Sequence, residues 1–77
     1  MKMIFTPSVD ELARNPDKLR DMLINITMLN GMYIIDLARE CNVSYACMRA
    51  FFKKNRMPNI VSRRKMAAVV EKMDKEL

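Results

Sequence analysis

Seventy-seven residues are enough for one domain and too few for two, since domains run from about 50 to 250 residues. Hydrophobic residues at 51% and charged residues at 30% describe a globular chain and exclude a disordered one. The chain has no His and a single Gly, which removes His triads, His-metal sites, P-loops and dinucleotide fingerprints together.

No apolar run exceeds five residues (Met66 to Val70), so no membrane span is expected, and the first seven residues are too short a stretch for a signal peptide. A cytoplasmic protein is expected. Cys41 and Cys47 lack the CxxC spacing and cannot complete a zinc site by themselves, so reduced thiols are expected, with Cys41 packed in the core. Neither an enzyme nor a cofactor is expected, which leaves a binding module.

The elements follow in chain order. Ser8 with Glu11 has the spacing of a capping box and starts a short helix reaching about Arg14 within an extension over 1–15. Asn15-Pro16 reads as a cap followed by Pro in the first helical position. Leu19, Met22, Leu23, Ile26 and Leu29 then recur at spacings of three and four, the stripe of an amphipathic helix. Ile24 and Met28 fall on another face and are expected in a second layer of core. Gly31 ends this helix in a left-handed conformation.

A helix from about Ile34 to Cys41 is expected to turn Ile34, Leu37, Ala38 and Cys41 inward. Asn42 supplies a positive backbone angle for a sharp turn, Val43 plugs the core, and Ser44 caps a helix running to about Lys54. That helix buries Met48, Phe51 and Phe52. It exposes Tyr45, Ala46, Arg49, Ala50 and Lys53. Residues 55–59 form a loop, because Pro58 cannot extend a helix there. The last helix, within 60–77, carries Met66, Val70, Met73 and Leu77 along one side. Two short helices joined by a tight turn, with a small residue (Ala38) where they touch, make a helix-turn-helix over 34–54.

Charge singles out the same region. Residues 1–40 hold five bases against six acids, and residues 41–77 hold nine against three. Between Cys41 and Lys65 there are seven bases and no acid. That is the electrostatic footprint of a nucleic-acid binder.

With these residues in view, the chain resembles the lambda-repressor/Cro-like helix-turn-helix superfamily. The resemblance runs from Gly31-Met32 through Asp36-Leu37-Ala38 and Asn42-Val43-Ser44 to Asn55-Arg56-Met57-Pro58, which is similar to the loop before that family's fourth helix. With the last helix included, it covers roughly residues 16–73. It implies an all-α, compact four- or five-helix lambda-repressor-like domain over 1–77, acting as a small phage-type regulator. The chain departs from the family in two places. Tyr33 and Ile34 stand where Thr and a phosphate-binding Gln are usual, and Asn42 stands where the turn usually has Gly.

The expected function is sequence-specific binding of duplex DNA in transcription regulation, as a repressor type of protein, with the helix over about 44–54 in the major groove. Groove geometry then divides the labour. Tyr45, Ala46, Arg49, Ala50 and Lys53 face the bases, with Arg49 the reader whose fork matches guanine. Ser44, Lys54, Asn55, Arg56, Arg63 and Arg64 hold phosphates. A core of this size stabilises a chain by only about 3–5 kcal/mol, so a homodimer is expected, through the last helix or the face of Ile24 and Met28. Two alternatives use the same fold: an interaction protein (a host-factor inhibitor or antirepressor) whose basic face meets an acidic protein partner, and an excisionase-like architectural DNA-binding protein.

Overall fold

The structure is a computed structural model that describes residues 7–76, with the side chains of residues 8–73. It contains five helices: α1 (Pro7–Ala13), α2 (Pro16–Asn30), α3 (Ile34–Cys41), α4 (Tyr45–Phe52) and α5 (Ile60–Glu76). No strand occurs among the described residues. The predicted all-α architecture is therefore observed. Leu77, expected on the α5 stripe, lies outside the described residues.

Side-chain oxygens start three of the helices where the sequence places polar residues before apolar runs. The Asn15 side chain accepts from the Lys18 amide at 3.4 Å, with Pro16 in the first turn of α2. Ser44 Oγ accepts from the Cys47 amide at 3.1 Å, and Asn59 Oδ1 from the Ser62 amide at 2.9 Å. Each bond satisfies one of the amides that a helix leaves unpaired at its start. Ser8 does not act this way. It lies inside α1, which begins at Pro7, and its hydroxyl donates to the Glu71 carboxylate on α5.

Three helix ends share one device. Gly31, Asn42 and Lys54 have φ of 60°, 57° and 63°, all in the left-handed region. The amide of the residue after each turns back to close the helix: Met32 to Thr27 O at 2.9 Å, Val43 to Ala38 O at 3.0 Å, and Asn55 to Ala50 O at 2.9 Å. This pattern satisfies carbonyls left open at a helix C-terminus. The third closure corrects the expected end of the helix-turn-helix: α4 stops at Phe52, so Lys53 and Lys54 belong to its exit.

The core takes residues from every helix. Val9 and Ala13 of α1, Leu19, Leu23 and Ile26 of α2, Leu37, Ala38 and Cys41 of α3, Met48 and Phe51 of α4, and Met66, Ala67 and Val70 of α5 are buried. α5 packs against α1, α2 and α3, and α3 packs against α4. Met22, Ile34, Val43, Phe52 and Met73 are half-buried against this core. Two expectations fail at the end of α2, where Met28 and Leu29 are each 74% exposed. The buried stripe ends at Ile26, so the last turn of α2 extends past the core.

Arg20 is the main residue the periodicity misses. It is only 5% exposed, beside Leu19 on α2. Its Nε donates to Phe51 O at 2.7 Å and its guanidinium lies 4.7 Å from the centre of the Phe51 ring. Nη1 meets Asp17 Oδ1 at 2.9 Å, on a carboxylate that is itself largely in water. A buried cation thus sits at the C-terminus of α4, where the helix dipole favours it.

Candidate nucleic-acid interface

α3, the three residues 42–44 and α4 build the site. The amides of Asn42 and Val43 bond back to Arg39 O (3.1 Å) and Ala38 O (3.0 Å), which ends α3 and points the chain into α4. Met48 and Phe51 are fully buried, and that fixes which side of α4 faces out. The outward side carries Tyr45, Ala46 and Arg49, followed by Lys53, Lys54, Asn55 and Arg56, all exposed. Ala50 is half-buried at the edge of this surface. Ser44 stays exposed while its Oγ caps α4, which leaves its hydroxyl proton available to an acceptor.

Ion pairing leaves this surface uncompensated. Arg14 and Arg64 both meet Asp10, at 3.0 and 3.3 Å, and Arg20 meets Asp17. Among the described residues, Arg49, Lys53, Lys54 and Arg56 have no carboxylate partner. Lys54 carries its charge on a left-handed backbone, a conformation that costs a non-glycine residue roughly 1–2 kcal/mol.

Arg63 and Arg64 are occupied elsewhere. Arg63 Nε donates to Ala13 O at 2.8 Å and Nη1 to Pro58 O at 3.2 Å, so this guanidinium ties the end of α1 and the loop before α5 to α5. Arg64 pairs with Asp10 on α1. These bonds spend on the fold the donors expected to hold phosphate. They also offset the cost of cations near the start of α5, since Arg63 reaches the C-terminal end of α1. Lys65 points the other way: its Nζ lies 3.5 Å from Asn42 O, over the turn. Sequence reasoning left Lys65 off the site, although its place in the acid-free run was the available signal.

The two departures at the start of α3 have a structural consequence. Ile34 is half-buried against the core and offers no hydrogen-bond donor from its side chain. Tyr33 caps α3 through its backbone, whose amide donates to Asp36 Oδ2 at 3.2 Å, while its side chain is 77% exposed. Tyr33, Ile34, Ile35 and Tyr45 line one shallow apolar cleft where the starts of α3 and α4 meet. A separate groove of about 570 Å³ runs between α1, α2 and α5, and its rim mixes Glu11 and Glu71 with Arg14 and Lys18. Mixed charge gives that groove no preference for an anion.

Burial pushes the Cys41 thiol up to about 12, with the charge of Glu40 adding to the effect, so it stays protonated and unreactive. Among the described residues, no group of three or more His, Cys, Asp or Glu could hold a metal, and no helix is long and apolar enough to cross a membrane. No family model, curated protein or solved structure matches this chain.

Proposed function

We propose that this protein binds duplex DNA sequence-specifically as a small transcriptional regulator, with α4 in the major groove. One observation carries the reading. Arg49, Lys53, Lys54 and Arg56 are exposed on α4 and its exit, next to a tight helix-turn-helix, within a stretch of chain that has no acid from Cys41 to Lys65. Arg49 reads a base edge from the outward side of α4, with Tyr45 and Ala46 beside it. Ser44, Lys54, Asn55 and Arg56 hold phosphates, and Lys65 adds charge over the turn. Met28, exposed at the end of α2, and the adjoining Leu29 provide apolar surface for a homodimer.

Salt titration of a random duplex tests the electrostatic half of this reading. With roughly 4–6 phosphates neutralised per protomer, log affinity falls against log salt with a slope near −0.9 per contact. Arg49→Ala is expected to cost about 1–3 kcal/mol on a selected site and to relax preference at one base pair. Arg56→Ala is expected to weaken selected and random duplexes alike. No binding even at low salt would favour the second reading, an acidic protein partner on the same basic face. The absence of a phosphate donor at Ile34 is the observation behind that alternative.

A further inference from the structure

We propose that the apolar cleft lined by Tyr33, Ile34, Ile35 and Tyr45 receives the C5-methyl group of a thymine at the edge of the bound site. This inference rests on the duplex-binding reading and adds a base preference to it. Tyr33, Ile35 and Tyr45 are 77%, 42% and 47% exposed, so the cleft presents large apolar side chains that the described chain leaves uncovered. Tyr45 is the first residue of α4, one helical turn before Arg49 on the same side. The start of a recognition helix is the part that approaches base edges. The cleft therefore lies beside the reader rather than on an unrelated face.

Charge and chemistry narrow the occupant. The exposed cations Arg49, Lys53, Lys54 and Arg56 follow Tyr45 in a stretch of chain that has no acid, and they complement a polyanion. Asp36 is the carboxylate in the first turn of α3, and it is engaged by the Tyr33 amide. Among the groups that base edges display in the major groove, the thymine C5-methyl is the apolar one; the others are hydrogen-bond donors and acceptors. A purine or cytosine edge set against Ile34 and Ile35 would lose its water without gaining a partner from them, and the Tyr33 and Tyr45 hydroxyls are the hydrogen-bonding groups among the side chains that line the cleft. A thymine methyl loses nothing there and removes apolar surface from water on both sides.

The experiment replaces thymine by deoxyuridine, which keeps the base pair and removes only the methyl group. A duplex site is first enriched from a random-sequence pool with the full chain, and each thymine is then exchanged in turn. One thymine per protomer is expected to lose about fourfold in affinity, the worth of one buried methyl-sized group. That sensitivity is expected to vanish in Tyr45→Ala and Ile35→Ala. Both residues are exposed, so the variants should keep the parent's circular dichroism, which is checked first. Finding no sensitive thymine, or finding that both variants keep the sensitivity, overturns the proposal and leaves duplex binding standing. Equal duplex affinity for parent and both variants also overturns it and directs the cleft to a protein segment. If no duplex is enriched at any salt concentration, the duplex reading fails and the cleft assignment falls with it.

Discussion

Among the described residues, Arg20 is the one charged residue that is buried. Its guanidinium bonds Phe51 O at 2.7 Å and stacks on the ring of the same residue, so it holds α4 by both backbone and side chain. Arg20→Met is expected to cost about 2–4 kcal/mol by urea denaturation, from a charge-assisted hydrogen bond and a desolvated cation–π contact. Arg20→Lys is expected to recover less than half of that, because an ammonium cannot stack and bond through one rigid plane. Asp17→Ala serves as the control: its carboxylate is 91% exposed, so the ion pair contributes little and the melt should hardly move. A second residue-scale prediction concerns Lys54, whose φ of 63° is natural for glycine and strained for lysine. Lys54→Gly is expected to raise stability by about 1 kcal/mol or less, because relief of roughly 1–2 kcal/mol of left-handed strain outweighs the roughly 0.5–1 kcal/mol that glycine's extra unfolded-chain freedom costs. If Lys54 holds a phosphate, the same variant binds selected and random duplexes more weakly by equal factors. Unchanged affinity would remove Lys54 from the interface.

Among the elements, the α3–α4 pair depends on its turn and on the contact at Ala38. Ala38 is 2% exposed and its carbonyl closes the end of α3 by accepting from Val43, so added side-chain atoms have nowhere to go. Ala38→Leu is expected to overpack this contact at a cost of about 1–3 kcal/mol or more. Asn42→Gly is expected to be neutral or stabilising, because the left-handed turn is already the native conformation. Thermal melts of the two variants check the turn together. A parent-like melt for Ala38→Leu would mean that the helices do not meet there. The start of α3 was less legible. Tyr33 and Ile34 look like a lost phosphate contact in the sequence, and only the meeting of α3 with Tyr45 makes them two walls of a cleft.

At the scale of the whole molecule, one core receives residues from all five helices, and its only buried titratable thiol reports on it. The Cys41 thiol rises from 9.0 to about 12, chiefly through burial and then through the charge of Glu40. The folded protein therefore holds this proton more tightly than the unfolded chain does. Its contribution to stability is complete below pH 9.0 and is lost as pH climbs toward 12. Denaturation followed from about pH 7 to about pH 11 is expected to show stability falling in the upper half of that range. Cys41→Ala lowers the neutral-pH value through its cavity but flattens the fall. An equally steep fall in Cys41→Ala would assign the pH dependence to other groups.

Short-range chemistry by itself located α2, α3 and the start of α4. Asn15-Pro16, Gly31, Asn42 and Ser44 act within a few residues of themselves, through capping bonds and left-handed turns, so they mark α2, α3 and the start of α4 before any packing is known. The same holds for Leu19, Leu23, Leu37, Met48, Phe51 and Met66, whose spacing alone assigns them to the core. What packing decided was the fate of charges and of helix ends. Nothing local separates Arg20, Arg63 and Arg49: each is an arginine on or beside an amphipathic helix. Arg20 meets Phe51 across 31 positions and Arg63 meets Ala13 across 50, and those encounters turn two cations into caps for other helices while Arg49 stays in water. Met28 and Leu29 continue the apolar run of α2 but outlast the core beneath it. Periodicity gives the direction a side chain takes around its helix axis. Whether another element lies in that direction depends on contacts distant in the chain, and only the tertiary structure supplies them.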